Sequence, residues 1–141
     1  MHAGGVWSFV FPTVRKNHEP EPLEIISMIR NGVPGDSIAK VAEIMMLPKT
    51  QLYSLLHISP RTAQRAASSN LDVEKSSHLV QITKVYSRCL RIFQDSSRAI
   101  SWLQSSNYSL GDQSPLDLMD TSEGIELVQD ALTRIEYGVF A

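Results

Sequence analysis

The sequence predicts an all-α fold composed of two helical parts that join near Asn70. Three observations support this prediction. Apolar residues recur at helical spacing along most of the chain after Pro22, residues that cap helices precede these runs, and no run alternates like a half-buried strand. With 141 residues and 43% hydrophobic content, the chain can form one compact domain or two small helical ones.

Residues 1–21 are expected to form an extended N-terminal arm, with a short strand from Val6 to Phe11. Gly4, Gly5, Pro12 and Pro20 interrupt this segment, and glycine and proline are the strongest breakers of regular structure. The segment lacks a basic leader and is too short to span a bilayer. We therefore expect neither a signal peptide nor a membrane anchor.

Residues 22–70 are expected to form the first helical part, and a polar connector, Ser68-Ser69-Asn70, ends it. Helical spacing and capping residues predict four helices here. They are a helix through Leu23, Ile26 and Ile29 that ends at Asn31-Gly32, a helix capped by Asp36, and two short helices at Pro48 to Leu56 and Pro60 to about Ala67.

Residues 71–141 are expected to form the second part, which opens with a long helix from about Val73 to Gln94 capped by Asp72. The apolar positions of this helix alternate by three and four residues. Such a stripe lines either the core of a bundle or a seam between two copies of a chain, and the sequence leaves both open. The stripe consists of Leu79, Ile82, Tyr86, Cys89 and Phe93.

The remainder of this part is expected to hold two more helices and a scaffold loop. One helix starts at Ser96 or Ser97 and places Trp102 in the core. In the loop, Gly111 permits a tight turn and Pro115 starts a short helix. We expect Asp117 and Asp120 to act as caps. Asp120 and Glu123 form a capping-box pattern for the last helix, and Gly138 is a natural C-terminal stop.

Charge is distributed unevenly along the chain, although its net value is only −2. Residues 1–70 carry seven Lys/Arg against five Asp/Glu, whereas residues 71–141 carry six against ten. From Asp112 onward, seven acidic side chains face the single basic Arg134. A mildly basic N-terminal half and an acidic C-terminal half indicate two partners of opposite charge.

The two short helices before Asn70 have the pattern of a helix-turn-helix. Ser59 can cap the second helix, and Pro60 suits its first turn, where no amide donor is needed. The N-terminal end of that helix would enter the major groove, and the first helix would meet the DNA backbone. The predicted DNA-binding residues are Lys49, Thr50, Arg61, Thr62, Gln64 and Arg65, because these types grip guanine, adenine, thymine methyl groups or phosphate.

An ordinary helical hairpin with a solvated polar face is the alternative interpretation of the same residues. An excess of two positive charges predicts weak DNA binding by a monomer, since affinity depends on the number of phosphates neutralised. A homodimer would double the contacts.

No constellation typical of a catalytic or metal site is present in the sequence. His2, His18, His57 and His78 are scattered without ligand spacing. Cys89 is the single cysteine, so no internal disulfide can form, which fits a reducing cytoplasm. Its place on an apolar helical face indicates core rather than a nucleophile. We predict a protein that is not an enzyme and holds no metal or cofactor.

The C-terminal segment Arg134-Ile135-Glu136-Tyr137-Gly138-Val139-Phe140-Ala141 is acidic and aromatic near its tip. We expect Tyr137, Val139 and Phe140 either to pack back on their own domain or to enter a partner. Apolar anchors at the centre and acidic groups at the rim would suit a basic pocket. Glu136 and the carboxylate of Ala141 could each meet an arginine of such a pocket.

Taken in order, these motifs resemble the Xre/MbcA/ParS family of bacterial antitoxins. The segment Ile58 to Arg65 looks like the family's Xre-like helix-turn-helix part, and the resemblance covers about Pro22 to Ala141. Asp112 departs from the pattern, since the family usually has a second glycine there. The motifs that resemble the family's toxin-binding part are Phe93 with Asp95, Ala99 with Trp102-Leu103, Asn107, Leu110-Gly111, Pro115-Leu116-Asp117, Thr121 with Gly124, and Arg134-Ile135 with Gly138.

The resemblance implies two partners. One is a RES-domain toxin encoded by the adjacent gene, which attacks NAD or uses it to modify a protein. The other is operator DNA, bound by a homodimer within the complex. The implied toxin-binding residues are Arg134, Ile135, Glu136, Tyr137, Gly138, Val139, Phe140 and Ala141, which would occlude the NAD pocket. A stand-alone transcriptional regulator is the alternative function.

Overall fold

The computed structural model describes residues 2–138, and within them it is all-α, as the sequence predicted. In this described range, eight α-helices and two 3-10 helices pack around one hydrophobic core. The α-helices are α1 Ala3–Val10, α2 Pro22–Asn31, α3 Ser37–Ile44, α4 Lys49–Leu55, α5 Pro60–Ala66, α6 Val73–Phe93, α7 Ser96–Gln104 and α8 Ser122–Glu136, and the 3-10 helices are Tyr108–Leu110 and Leu116–Asp120.

Helix α1 corrects the expectation of an extended arm with a strand at Val6 to Phe11. Val6, Trp7 and Val10 are fully buried, and Phe11 is 1% exposed. Their spacing places them on one helical face, which packs against α3 and α6. Burial of this face outweighs the helix-breaking tendency of the two glycines in the first turn, about 1 kcal/mol each. Tertiary packing therefore decides the structure here.

Residues 11–21 of the expected arm form neither helix nor strand, yet they are tied to the rest of the chain. Glu19 accepts two hydrogen bonds from Arg91 Nη1 on α6, at 3.0 and 2.9 Å. His18 Nε2 lies 3.0 Å from Glu24 Oε1 on α2. The side-chain hydrogen bond from His18 lowers the pKa of the Glu24 carboxyl.

Helices α2 and α3 match their predicted positions, but one predicted cap is wrong. Gly32 ends α2 with a φ of 82°, a conformation that glycine adopts without strain. Asp36 stands at the N-cap of α3, but its side chain makes no capping hydrogen bond. The reason is its helical backbone, φ −70° and ψ −10°, since a capping residue is normally extended.

Helix α6 is the central element, and its apolar stripe belongs to the core of the single chain. Leu79, Ile82 and Cys89 are fully buried, and Tyr86 is 2% exposed. Helices α1, α2, α7 and α8 all pack against α6. The alternative of a seam between two copies is therefore wrong for this stripe. Burial also raises the pKa of the Cys89 thiol to about 12, which agrees with a core residue.

Thr121, rather than the expected Asp120, is the N-cap of α8. The Thr121 hydroxyl accepts a hydrogen bond from the Gly124 amide at 3.0 Å. A Cβ on Gly124 would lie 1.6 Å from the Leu118 carbonyl oxygen, so only glycine allows this close approach. Asp120 instead ends the preceding 3-10 helix and leaves its backbone carbonyl free to accept from outside the segment.

The loop before α8 follows the sequence prediction except at Asp117. Ser114, not Asp117, caps the 3-10 helix, because its hydroxyl accepts from the Asp117 amide at 3.2 Å. Gly111 makes the tight turn with a φ of 67°, as expected. Asp112, which departs from the family's glycine, also adopts a left-handed φ of 63°. Aspartate tolerates this region better than most residues, so the departure keeps the turn.

Within residues 2–138, no helix combines the length and apolar character that crossing a bilayer requires. The expected boundary near Asn70 falls in the short connection between α5 and α6. It stays a prediction, since α6 packs with elements from both sides of it.

Candidate functional surfaces

Helices α4 and α5 form a helical pair whose packing follows the predicted apolar positions. Leu52 and Leu56 are fully buried, and Leu55 is 6% exposed. The α5 helix buries only Ala63, at 4% exposure. A small residue at this position lets two short helices approach closely, and it leaves the rest of α5 at the surface.

The N-terminus of α5 has the predicted cap. The Ser59 hydroxyl accepts from the Thr62 amide at 3.1 Å and donates to the Thr62 hydroxyl at 2.8 Å. Pro60 occupies the first turn, where its missing amide donor costs nothing. The local chemistry of a helix-turn-helix second helix is therefore present.

All six predicted DNA-binding residues are exposed on this pair. Lys49 and Thr50 lie in the first turn of α4, and the other four lie on α5. In the described part of the chain, no carboxylate forms an ion pair with Lys49, Arg61 or Arg65. Their charges are thus available to a phosphate backbone. This surface consists of Lys49, Thr50, Arg61, Thr62, Gln64 and Arg65, and we call it the α4–α5 surface.

A second surface lies along α8, whose buried and exposed faces are sharply divided. Val128 and Leu132 are fully buried against the core. On the outer face, Leu127 is 51% exposed and Tyr137 is 73% exposed. Helical spacing places Asp130 and Arg134 between these two on the same side of α8. Exposed apolar side chains among carboxylates are typical of a protein-binding surface.

Arg88 holds the second half of α8 against α6. Its Nη1 donates to the Gln129 carbonyl oxygen at 3.1 Å and to Gln129 Oε1 at 2.7 Å. Its Nη2 donates to Thr133 Oγ1 at 2.8 Å and to Glu136 Oε1 at 2.9 Å. Four hydrogen bonds from one guanidinium fix the direction in which α8 ends. Glu136 therefore already has an arginine partner in its own chain, a role that the sequence did not indicate.

The predicted toxin-binding residues divide between this helix end and a segment that lies outside the described residues. Arg134 and Ile135 are half-buried, whereas Glu136, Tyr137 and Gly138 are exposed. Gly138 ends the helix with a φ of 68°, as predicted. Ile135 and Glu136 line a cavity of about 450 Å³ with Arg91, Ile92 and Phe93. Val139, Phe140 and Ala141 are outside the described residues.

Trp102, which the sequence places in the core, lies at the edge of the core. It is half-buried, and its ring centroid lies 5.8 Å from that of Phe93 at a tilted angle. This geometry is a favourable aromatic contact, so Trp102 packs against the core while part of its side chain stays accessible.

Two histidines make contacts that the sequence analysis missed. His57 Nε2 donates to the Asp120 carbonyl oxygen at 2.8 Å, and His78 Nε2 donates to the Met119 carbonyl oxygen at 2.7 Å. They join residues that are 63 and 41 positions apart, so no local pattern could have indicated them. Among residues 2–138, no group of three or more His, Cys, Asp or Glu side chains is placed to hold a metal ion.

Comparison with known families agrees with this geometry. Residues 24–83 match the "Antitoxin Xre-like helix-turn-helix domain", which contains the α4–α5 surface. Residues 90–138 match the "Antitoxin Xre/MbcA/ParS C-terminal toxin-binding domain", which contains α7 and α8. This chain belongs to the Xre/MbcA/ParS family of antitoxins. It is thus an antitoxin with a helix-turn-helix domain followed by a toxin-binding domain, and the predicted fold class and family are confirmed.

Two curated relatives align with most of this antitoxin. It is 24% identical over 135 residues to the "Prs ADP-ribosylating antitoxin" of Sphingobium sp. (strain YBL2), an alignment that covers 88% of this chain and 85% of the relative. It is 27% identical over 120 residues to "Antitoxin Xre" of Yersinia enterocolitica serotype O:8 / biotype 1B (strain NCTC 13174 / 8081), covering 83% and 81%.

The family matches leave two important parts of this antitoxin unassigned. Helix α1 precedes both matches, although it contributes fully buried residues to the core. Arg88 lies between the matches, although it fixes the end of α8. Helix α1 packs on α3 and on the central helix α6, and Arg88 joins α6 to α8, so each part ties one of the matched domains to α6.

Proposed function

We propose that this antitoxin binds and inhibits a RES-domain, NAD-consuming toxin encoded by the adjacent gene, and that its C-terminal end enters the toxin's NAD pocket. The observation that carries this proposal is the set of four hydrogen bonds from the Arg88 guanidinium to α8. By fixing the last two turns of α8, it holds Tyr137 and Gly138 exposed at a defined place, from which the chain can continue into a partner. Preorganisation of this kind reduces the entropic cost of binding.

Charge supports an NAD pocket as the target. A pocket that holds the pyrophosphate of a dinucleotide needs positive charge, and the antitoxin from Asp112 onward carries seven acidic side chains against one basic one. The described acidic residues of α8 lie on its exposed face. Apart from Glu136, which pairs with Arg88, they offer complementarity at the rim of such a pocket, while Tyr137 and the residues after it supply apolar anchors.

The name of one relative also supports an NAD-linked toxin. The Sphingobium protein is called "Prs ADP-ribosylating antitoxin". ADP-ribosylation takes its ADP-ribose from NAD, so a toxin of this type must bind NAD. NAD binding by the toxin partner of this chain would agree with the proposed pocket.

The test is to express the neighbouring reading frame in cells with and without this antitoxin, and to follow growth and total NAD. Two truncations locate the inhibitory segment. A chain that ends at Gly138 keeps every Arg88 contact, whereas a chain that ends at Arg134 loses Glu136 as well. We expect both to fold, as judged by thermal unfolding, and neither to reverse growth arrest.

The outcomes separate the parts of the proposal. Arrest with loss of NAD, reversed by the full chain only, supports both inhibition and occlusion of the pocket by the chain end. Arrest without loss of NAD, still reversed, supports a toxin that modifies a protein. Full protection by the chain that ends at Arg134 would contradict insertion of the C-terminus.

We also propose that the antitoxin represses its own operon through the α4–α5 surface, as a homodimer within the cytoplasmic toxin–antitoxin complex. Arg61 and Arg65 support this, since both are exposed and neither forms an ion pair within residues 2–138. Because the stripe on α6 is buried, a dimer must use another surface. Among the α-helices of the described residues, α2 carries the most exposed apolar side chain, that of Leu23 at 79%.

Substitution tests the DNA proposal. Arg61→Ala with Arg65→Ala should reduce the affinity for a duplex from upstream of the antitoxin's own gene. It should also reduce the slope of log affinity against log salt concentration, by about one unit for each phosphate that the protein no longer neutralises. Arg98→Ala on α7 is a matched control, since Arg98 is exposed but lies outside the α4–α5 surface. A salt slope near zero for the unaltered protein would contradict DNA binding.

A stand-alone transcriptional regulator is the second candidate function, favoured by the exposure of the α4–α5 surface alone. It predicts that Arg61 and Arg65 are essential for regulation of another gene and that residues after Arg134 are dispensable. The same two truncations therefore distinguish a stand-alone regulator from an antitoxin that inhibits a toxin with its C-terminal end.

A further inference from the structure

His57 ends the turn after α4 in a left-handed conformation that glycine would adopt more easily. Its φ is 56°, and the amide of Ile58 bonds to the Tyr53 carbonyl oxygen at 3.0 Å, which is the pattern of a Schellman cap. Non-glycine residues pay a steric cost at this position. A side-chain contact elsewhere in the chain can offset this cost.

The imidazole of His57 supplies that contact. Its Nε2 donates to the carbonyl oxygen of Asp120, the last residue of the 3-10 helix before α8. His78, whose ring centroid lies 6.3 Å from that of His57, donates to the carbonyl oxygen of the neighbouring Met119. Lys75 Nζ donates to the backbone carbonyl oxygen of His57 at 3.4 Å. The turn of the helix-turn-helix is thus bonded directly to the toxin-binding domain.

Helix α5 depends on its ends for its orientation, because it buries so little of its own surface. Ala63 is its only buried residue. Its C-terminal end lies close to the start of α3, where a Cβ on Gly35 would lie 1.8 Å from the Ala66 carbonyl oxygen. Its N-terminal end follows the turn that His57 anchors. In a helix-turn-helix this N-terminal end contacts the base edges.

We infer that His57, supported by His78, is a positioning residue for DNA binding, because its imidazole ties the α4–α5 turn to the carbonyl end of the Leu116–Asp120 helix and so sets the direction of α5. The inference rests on the proposed DNA binding by the α4–α5 surface. It assigns to the toxin-binding domain a part in shaping the DNA-binding element, through Asp120.

The test is His57→Gly, which relieves the left-handed backbone and removes the imidazole bond at the same time. A purely structural role predicts equal or higher stability with unchanged DNA binding. A positioning role predicts a thermal midpoint that is equal or higher, together with DNA affinity reduced by up to about tenfold, because loss of one net hydrogen bond can shift α5 from its binding orientation by no more than the free energy of that bond. The probe is a duplex from upstream of the antitoxin's own gene, with an unrelated duplex as competitor.

Met46→Gly is the matched control. Met46 follows the end of α3 with a φ of 55°, and the amide of Leu47 bonds to the Ala42 carbonyl oxygen at 2.9 Å, so the backbone motif is the same. Its side chain is 74% exposed and, unlike that of His57, carries no donor for the toxin-binding domain. We expect Met46→Gly to leave DNA affinity unchanged. His57→Gln keeps an amide donor near the position of Nε2, and it should restore part of the affinity.

The outcomes are distinct. His57→Gly with the affinity of the unaltered protein would overturn the inference alone, as would an equal loss in Met46→Gly. Failure of the unaltered protein to prefer the upstream duplex would instead overturn the proposed operator binding, and this inference with it.

Discussion

Arg88 Nη2 lies 2.9 Å from Glu136 Oε1, and this ion pair joins the second half of α6 to the last turn of α8. The Arg88 side chain is only 18% exposed, whereas that of Glu136 is 41% exposed. The guanidinium also reaches Gln129 and Thr133, so the contact is a network rather than an isolated surface pair. Networks with a mostly buried member contribute more than exposed pairs do.

Replacement of Arg88 by alanine should destabilise the fold and weaken toxin neutralisation together. We expect a loss of about 1–3 kcal/mol in the free energy of unfolding, because α8 loses four hydrogen bonds at once, two of them to the half-buried Gln129. Denaturant unfolding measures this, and a double-mutant cycle with Glu136→Gln isolates the ion pair. Arg91→Ala is the control, since its pair with Glu19 is about half exposed on both sides and should be worth about 0–1 kcal/mol. Equal losses in the two variants would contradict a special role for Arg88.

Trp7→Ala should unfold the antitoxin or destabilise it by about 3–5 kcal/mol, the usual cost of removing a large buried aromatic side chain. Trp7 is fully buried, whereas Phe9, two residues along the same helix, is 36% exposed. Phe9→Ala should therefore cost much less. The comparison by thermal or denaturant unfolding tests whether α1, which lies outside both family matches, is part of the core. A small loss of stability in Trp7→Ala would show that α1 is not part of the core.

Gly124→Ala should destabilise the start of α8 by about 1–3 kcal/mol, since the new methyl group forces backbone to move. Its Cβ would lie 1.6 Å from the Leu118 carbonyl oxygen. Ser122→Ala is a suitable comparison, because Ser122 is exposed in the same helical turn. Circular dichroism melting of the two variants provides the measurement. Similar midpoints would argue against the close approach of α8 to the preceding segment.

Stability should fall at alkaline pH because Cys89 is buried. Its pKa is raised from 9.0 to about 12 by desolvation, so the folded protein holds the thiol proton more tightly than the unfolded chain does. The stabilising effect is complete below the unfolded pKa and is lost as pH rises toward the folded one. Burial also raises the pKa of Tyr86, so Cys89→Ala is needed to separate the two. The free energy of unfolding, measured from about pH 7 to about pH 10, should decline less steeply in that variant.

Local patterns in the sequence predicted helices α2 to α8, because each of these segments carries its own capping residue or apolar spacing. Ser59, Asp72 and Gly138 act at the predicted positions. The errors have a common cause. The α1 helix depends on a core formed by distant residues, and Asp36 and Asp120 have backbone conformations that a pattern of residue types does not determine.

The predicted DNA-binding residues were found together at the surface, because they belong to one short segment of the chain. The contacts of Arg88, His57 and His78 could not be predicted in this way. Each joins residues more than forty positions apart, and only tertiary packing brings them together: α6 against α8 and the Leu116–Asp120 helix, and the turn after α4 against the same 3-10 helix.

The course of α6 limits how antitoxins of this kind can exchange parts in evolution or by engineering. The helix-turn-helix match ends at residue 83 and the toxin-binding match begins at residue 90, and both limits fall within this one helix. A chimera that joins the DNA specificity of one relative to the toxin specificity of another must cross α6. It inherits a viable core only if the donor's version of this helix still fits α1 and α8, so recombination should succeed mainly between relatives whose α6 stripes are interchangeable.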